Sequence, residues 1–96
     1  MAEQLIITTN NKTLLKPLLI SALEQKKKIL DLGIVQTQAR LADFEQEFGM
    51  TSAEFEQRLN TRVLAETVTF SEWRMEIGML QLLKSQYQAL EEVQLD

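Results

Sequence analysis

Few side chains in this sequence could carry out chemistry. The chain has no Cys and no His, which excludes thiol nucleophiles, disulfides and nearly all zinc and transition-metal sites. One carboxylate pair, Glu72 and Glu76, is spaced one helical turn apart beside an apolar stripe, an arrangement that general acid–base catalysis can use. No Gly-rich phosphate loop, nucleophile motif or Glu-x-x-His ligand set accompanies it. We therefore expect a protein that is not an enzyme and uses no metal or cofactor.

The charge distribution argues against nucleic acid as a direct ligand. The net charge is -4, and residues 49–96 hold the whole acidic excess. The one basic cluster, Lys26 to Lys28, spreads over about 200° of a helix, so it does not form the concentrated patch that phosphate binding needs. We interpret it as a solvated surface rather than a site for phosphate or an acidic partner.

Residues 1–12 form an N-terminal arm that differs from the rest of the chain. Leu5 to Thr9 have strand propensity, and Asn10-Asn11 follows as a turn. The arm is predicted to be disordered, to lie as an apolar strip on the helices, or to add an edge to a partner's sheet. It lacks a basic signal region, and its apolar run is too short to span a membrane. A cytoplasmic protein is expected.

The remainder, residues 13–96, is predicted to be one helical domain with helices at about 13–48, 52–60 and 70–93. Pro17 marks the beginning of the first helix. From Leu30 onward apolar side chains recur at steps of four and three, as in a coiled-coil seam. Gly33 is a weak point in helix propensity whose small size would allow another helix to approach closely.

Two local signals divide the helices. Gly49 is predicted to be the left-handed residue that ends the first helix. Thr51 and Glu54 form a capping box for the second helix, and Thr69 and Glu72 form one for the third. The β-branched stretch 61–68 is interpreted as an irregular connection.

The fold class is all-α: a long antiparallel helical hairpin with a short helix at the bend. The last helix has apolar side chains around more than half of its circumference, and the first helix is about a dozen residues longer, so one hairpin cannot cover all of this surface. We expect a homodimer with a four-helix bundle, or a different protein on that surface. The candidate interface residues are Leu15, Leu19, Leu23, Phe44, Phe48, Phe55, Trp73, Met75, Met79, Leu82 and Tyr87.

The run Phe44-Glu45-Gln46-Glu47-Phe48-Gly49-Met50-Thr51-Ser52-Ala53-Glu54-Phe55, with Phe70-Ser71-Glu72-Trp73 after it, resembles a group of short bacterial and cyanobacterial proteins that are similar to antitoxins of type II toxin–antitoxin pairs. The resemblance covers residues 38–92. This chain has Glu47-Phe48 where that group usually has a basic residue and Tyr, and the connection 61–68 lacks the acidic, Gly-containing loop. The resemblance implies neutralisation of a toxin by direct binding, with Phe44, Phe48, Phe55, Phe70 and Trp73 as motif positions.

Two functional hypotheses follow. The first is a protein-interaction module of the antitoxin type, with a cognate toxin encoded nearby as partner. The second is a homo-oligomeric structural or adaptor protein whose apolar faces are all used in self-association. A stable complex with a neighbouring gene product would distinguish the first from the second.

Overall fold

The computed structural model describes residues 3–95 and contains three α-helices in that part of the chain. They are α1 (Lys12–Phe48), α2 (Ser52–Asn60) and α3 (Val68–Glu91). The prediction of an all-helical hairpin with a short helix at the bend is confirmed. Residues 3–10 lie outside the helices, and their side chains are exposed.

The long helix α1 has a cap at each end. The Asn11 side chain accepts a hydrogen bond from the Leu14 backbone N–H at its beginning. Pro17 is the sixth helical residue, close to the beginning of the helix as predicted. At the other end Gly49 adopts the left-handed conformation (φ 64°, ψ 32°), as predicted, and the Glu45 carbonyl accepts from the N–H groups of Gly49 and Met50. The chain therefore turns sharply at Gly49.

The beginning of α2 is held both locally and by α1. The Thr51 hydroxyl accepts from the Glu54 backbone N–H at 3.1 Å, so Thr51 caps the helix as predicted. A carboxylate oxygen of Glu45 accepts from the Ser52 backbone N–H at 2.6 Å. Two otherwise unpaired N–H groups of the first turn are satisfied in this way, one of them by a side chain of the preceding helix.

The predicted cap of α3 is wrong by two residues. Thr67, in an extended conformation, accepts from the Phe70 backbone N–H at 3.1 Å, so Thr69 and Glu72 lie inside the helix. Glu66 accounts for the earlier beginning: its carboxylate accepts from the Ser71 hydroxyl and forms an ion pair with Arg74, which fixes the chain just before Thr67. The helix also ends two residues before the predicted Val93.

The two long helices run antiparallel, and three contacts define their register. A Cβ at Gly33 would lie 3.4 Å from Leu83 Cδ1, Arg40 Nε lies 3.0 Å from Glu76 Oε2, and the rings of Phe44 and Trp73 stack at 5.6 Å. In this register, a residue that is later in α1 lies beside a residue that is earlier in α3 by the same number of positions, to within one. Glu91, the last residue of α3, therefore lies level with Gln25. The segment 12–24 of α1 extends beyond α3.

The core is concentrated at the bend. Leu41, Phe55, Trp73 and Ile77 form one buried cluster, to which partly buried side chains of all three helices add. Further along α1 the buried residues are Leu30 and Thr37. The molecule measures 59 × 27 × 18 Å. Since a helix with its side chains is about 10–12 Å across, the thinnest dimension leaves no room for a second full layer of helices.

Candidate functional site

Five aromatic rings meet at the bend, and they are the five positions of the antitoxin-like motif. Trp73 is fully buried at their centre; Phe55 stacks on it with ring centroids 3.9 Å apart and planes within 2°. The remaining three rings lie within 6.5 Å of Trp73: Phe44 and Phe48 from α1, and Phe70 from α3. Each helix contributes at least one ring, so the cluster joins α2 to the hairpin.

The indole N–H of Trp73 is also satisfied within the chain. It donates to the Ser52 hydroxyl at 3.0 Å, which leaves the ring neither an exposed edge nor a free donor. Phe55 and Trp73 therefore act as core residues and not as contacts for a partner. Phe44 and Phe48 are only partly buried and pack against the same cluster. The five rings thus account for the fold of the bend.

The carboxylate pair that could have served in catalysis lies in a shallow depression beside the bend. Its lining residues are Arg40, Asp43, Phe44, Glu47, Glu72 and Glu76. Arg40 lies 3.0 Å from Glu76 Oε2 and donates to the buried Thr37 hydroxyl. The same Glu76 oxygen accepts no hydrogen bond, so Arg40 and Glu76 form an ion pair in which the N–H group is not directed at the oxygen. Four carboxylates against one guanidinium make the depression acidic.

Two classes of site are not found within residues 3–95. No group of three or more acidic side chains is placed to hold a metal ion. None of the three helices combines the length and apolarity needed to cross a bilayer.

The first exposed apolar surface lies at the end of the hairpin opposite the bend. Large aliphatic side chains there are more than half exposed: Leu5 (89%), Ile6 (82%), Ile7 (55%), Leu14 (64%) and Leu18 (66%). We call these five residues the terminal strip. The predicted interface residues Leu15, Leu19 and Leu23 lie on the same overhanging segment and are half-buried. Exposed apolar surface of this kind is typical of interaction sites.

The second exposed apolar surface follows the side of α3 that points away from the aromatic cluster. Met75 (73%), Met79 (46%) and Leu82 (52%) are exposed there, while Tyr87 is half-buried. The steps of four and three extend this row in both directions within α3: Val68, Met75, Met79, Leu82 and Ala89 share it with the polar Glu72 and Gln86. Such spacing is that of a helix that packs against other helices.

Sequence reasoning missed part of the exposed apolar surface of α1. Ile29, Leu32 and Val35 are each 56–59% exposed. Ile29 directly precedes the core position Leu30, and Leu32 and Val35 lie between Leu30 and Thr37, but all three are on other sides of the helix. A helical wheel drawn for α1 would have separated them from the seam that begins at Leu30.

Comparison of the sequence with protein-family models, with curated proteins and with solved structures gives no match.

Proposed function

We propose that this protein is a protein-interaction module of the antitoxin type, which binds its partner with the arm and the overhanging segment of α1. The observation that carries the proposal is the terminal strip. Three of its five aliphatic side chains are consecutive in the arm, the other two lie one turn apart near the beginning of α1, and each of the five is more than half exposed. Removing an exposed Leu or Ile fully from water contributes about 1.5–3 kcal/mol, so a protein that covers the strip gains substantial free energy.

The backbone of the arm supports the same proposal. Within the part of the chain that the structure describes, no backbone hydrogen bond involves residues 3–8, and Leu5, Ile6 and Ile7 have high strand propensity. An extended segment of this kind can add to the edge of a partner's sheet, where its N–H and C=O groups are paired. We therefore expect a partner with an accessible edge strand beside an apolar groove.

The partner class rests on the resemblance of the bend to antitoxins. A toxin encoded next to this gene is the expected partner, in the cytoplasm. The alternative is a homo-oligomeric structural or adaptor protein, which the row of exposed apolar residues on α3 favours.

Co-expression with the neighbouring open reading frame tests the proposal. We expect the neighbour to arrest growth when expressed alone, and to form a stable complex and lose toxicity when this protein is present. Ile6→Asp with Leu14→Asp should weaken the complex about a hundredfold or more, since two buried aliphatic contacts of at least about 1.5 kcal/mol are lost. Gln38→Asp with Gln81→Asp is the matched control, because it adds the same charge at exposed polar positions outside the strip.

Two results would contradict the proposal. If the neighbouring gene product is neither toxic nor bound by this protein, the protein is not an antitoxin for it. If both double variants bind the neighbouring gene product with equal affinity, the terminal strip is not the binding site.

A further inference from the structure

The acidic depression beside the bend holds more negative charge than the chain neutralises. Its lining contains four carboxylates and one cation, Arg40, and Arg40 is already paired with Glu76. The other ion pair found within residues 3–95 joins Arg74 to Glu66, outside the depression. In this part of the chain, three carboxylates of the depression have no cationic partner: Asp43, Glu47 and Glu72.

The exposed apolar row of α3 begins at this depression. Glu72 lines the depression and also lies in the row, where Met75 and Met79 follow it at steps of three and four. Residues three or four apart are neighbours on a helix surface, so Met79 lies beside both Met75 and Glu76. The unpaired carboxylates and the two exposed methionines therefore form one continuous surface. We call it the mixed surface, and it consists of Asp43, Glu47, Glu72, Met75 and Met79.

The chemistry of the mixed surface selects the kind of occupant. Its steps of three and four are those of a helix that packs along another helix, and Met side chains adapt to such a partner. Glu72 lies within the row, so an occupant that covers Met75 and Met79 also removes this carboxylate from water. Burial of a charge without an opposite charge beside it is costly, so the occupant has to bring cations. Nucleic acid and anionic lipids carry phosphates, which the carboxylates repel.

We propose that the mixed surface binds a basic amphipathic helix of another protein. Apolar side chains of that helix cover Met75 and Met79, and its Lys or Arg side chains pair with the three unpaired carboxylates. The mixed surface lies at the bend, whereas the terminal strip lies at the opposite end of the hairpin, so this inference does not rest on the antitoxin proposal. With both sites, one chain can hold two partners at the same time.

A model peptide tests the inference with the full chain. The probe is a fluorescein-labelled helix of about 15 residues, roughly 22 Å long, with Leu on one face and Lys on the other. Its counterpart carries Glu in place of Lys. We expect the Leu–Lys peptide to bind with an affinity that falls as salt is added, and the Leu–Glu peptide to bind on the order of a hundredfold more weakly. Equal affinities, or no binding of the Leu–Lys peptide, would overturn the inference.

Paired variants locate the site through its charges. Asp43→Asn with Glu72→Gln should weaken binding of the Leu–Lys peptide about tenfold, since two ion pairs are lost. Glu24→Gln with Asp31→Asn is the matched control, because it removes the same charge from exposed positions on the side of α1 opposite Arg40. An equal loss in the two double variants would show that the peptide responds to the net charge of the chain and would overturn the mixed surface as the site.

The apolar half of the surface is tested by Met79→Gln, which keeps the length of the side chain. Binding of the Leu–Lys peptide should weaken about tenfold, whereas Val35→Gln, at an exposed apolar position elsewhere on α1, should leave it unchanged. Equal affinities of these two variants would overturn the inference. Light scattering identifies a second copy as the occupant instead: a dimer of 11.1 kDa chains that excludes the peptide, and that Met79→Gln dissociates, would also overturn it.

Discussion

Replacing Phe55 with Ala tests whether one aromatic side chain holds α2 on the hairpin. Phe55 is the buried residue of α2 in the structure and has no exposed surface. Its ring stacks on Trp73 at 3.9 Å and lies 5.2 Å from Phe70. If this contact holds the short helix in place, its loss should free α2 and open one face of the Trp73 indole to water.

The structure sets the size of the effect. Truncation of a buried Phe to Ala costs about 3–5 kcal/mol, and the stacked pair adds about 0.5–1.5 kcal/mol beyond its area. A domain of this length has a free energy of unfolding of roughly 5–15 kcal/mol, so the Phe55→Ala variant loses a large share of that free energy. With a urea m value of about 1–1.5 kcal/mol/M, the midpoint should fall by about 2 M or more.

Urea denaturation followed by tryptophan fluorescence measures this directly, because Trp73 is the only Trp in the chain. In the folded Phe55→Ala variant the emission should shift to longer wavelength as water reaches the ring. Gln57→Ala, at an exposed position of the same helix, should leave both midpoint and emission unchanged. A loss below about 1 kcal/mol for Phe55→Ala, with unshifted emission, would refute the view that α2 depends on this contact.

Two further predictions concern the turns and use the same denaturation assay. Gly49→Ala should cost about 1 kcal/mol, since φ is +64° and a new Cβ would meet no atom within 4 Å; an unchanged midpoint would contradict the left-handed conformation. Thr67→Ala should cost about 1 kcal/mol by removing the cap of α3. Thr69→Ala should be neutral or slightly stabilising, because Ala is the better residue inside a helix. The opposite order would show that Thr69 is the cap after all.

Local signals in the sequence were sufficient for the elements of the fold. Glycine at position 49, followed by Thr51 and Glu54, predicts one helix end and one helix beginning, and both are found. These signals act over a few residues, through backbone conformation and a single hydrogen bond. The apolar spacing of α1 and α3 likewise predicts the antiparallel hairpin.

Contacts between distant residues could not be predicted in the same way. The hydrogen bond from Trp73 to Ser52 joins residues 21 apart, and it depends on where α2 lies against α3. The cap at Thr67 was missed for a related reason. A capping box requires a carboxylate three residues after the cap, which Thr69 has and Thr67 lacks. The contacts that favour Thr67 come from Glu66, which precedes the cap and pairs with Ser71 and Arg74 later in the helix.

The position of the aromatic cluster at one end of the hairpin has a consequence for local opening. Backbone amides near the bend are protected by the core of α1, α2 and α3, whereas those of residues 12–24 belong to a single helix without α3 beside it. Amide hydrogen exchange should therefore be slowest around Leu41 and Ile77 and become faster toward Lys12, as the free energy of local opening falls with distance from the core. In the free protein the segment proposed to bind a partner would then open first, and a bound partner would slow exchange there most.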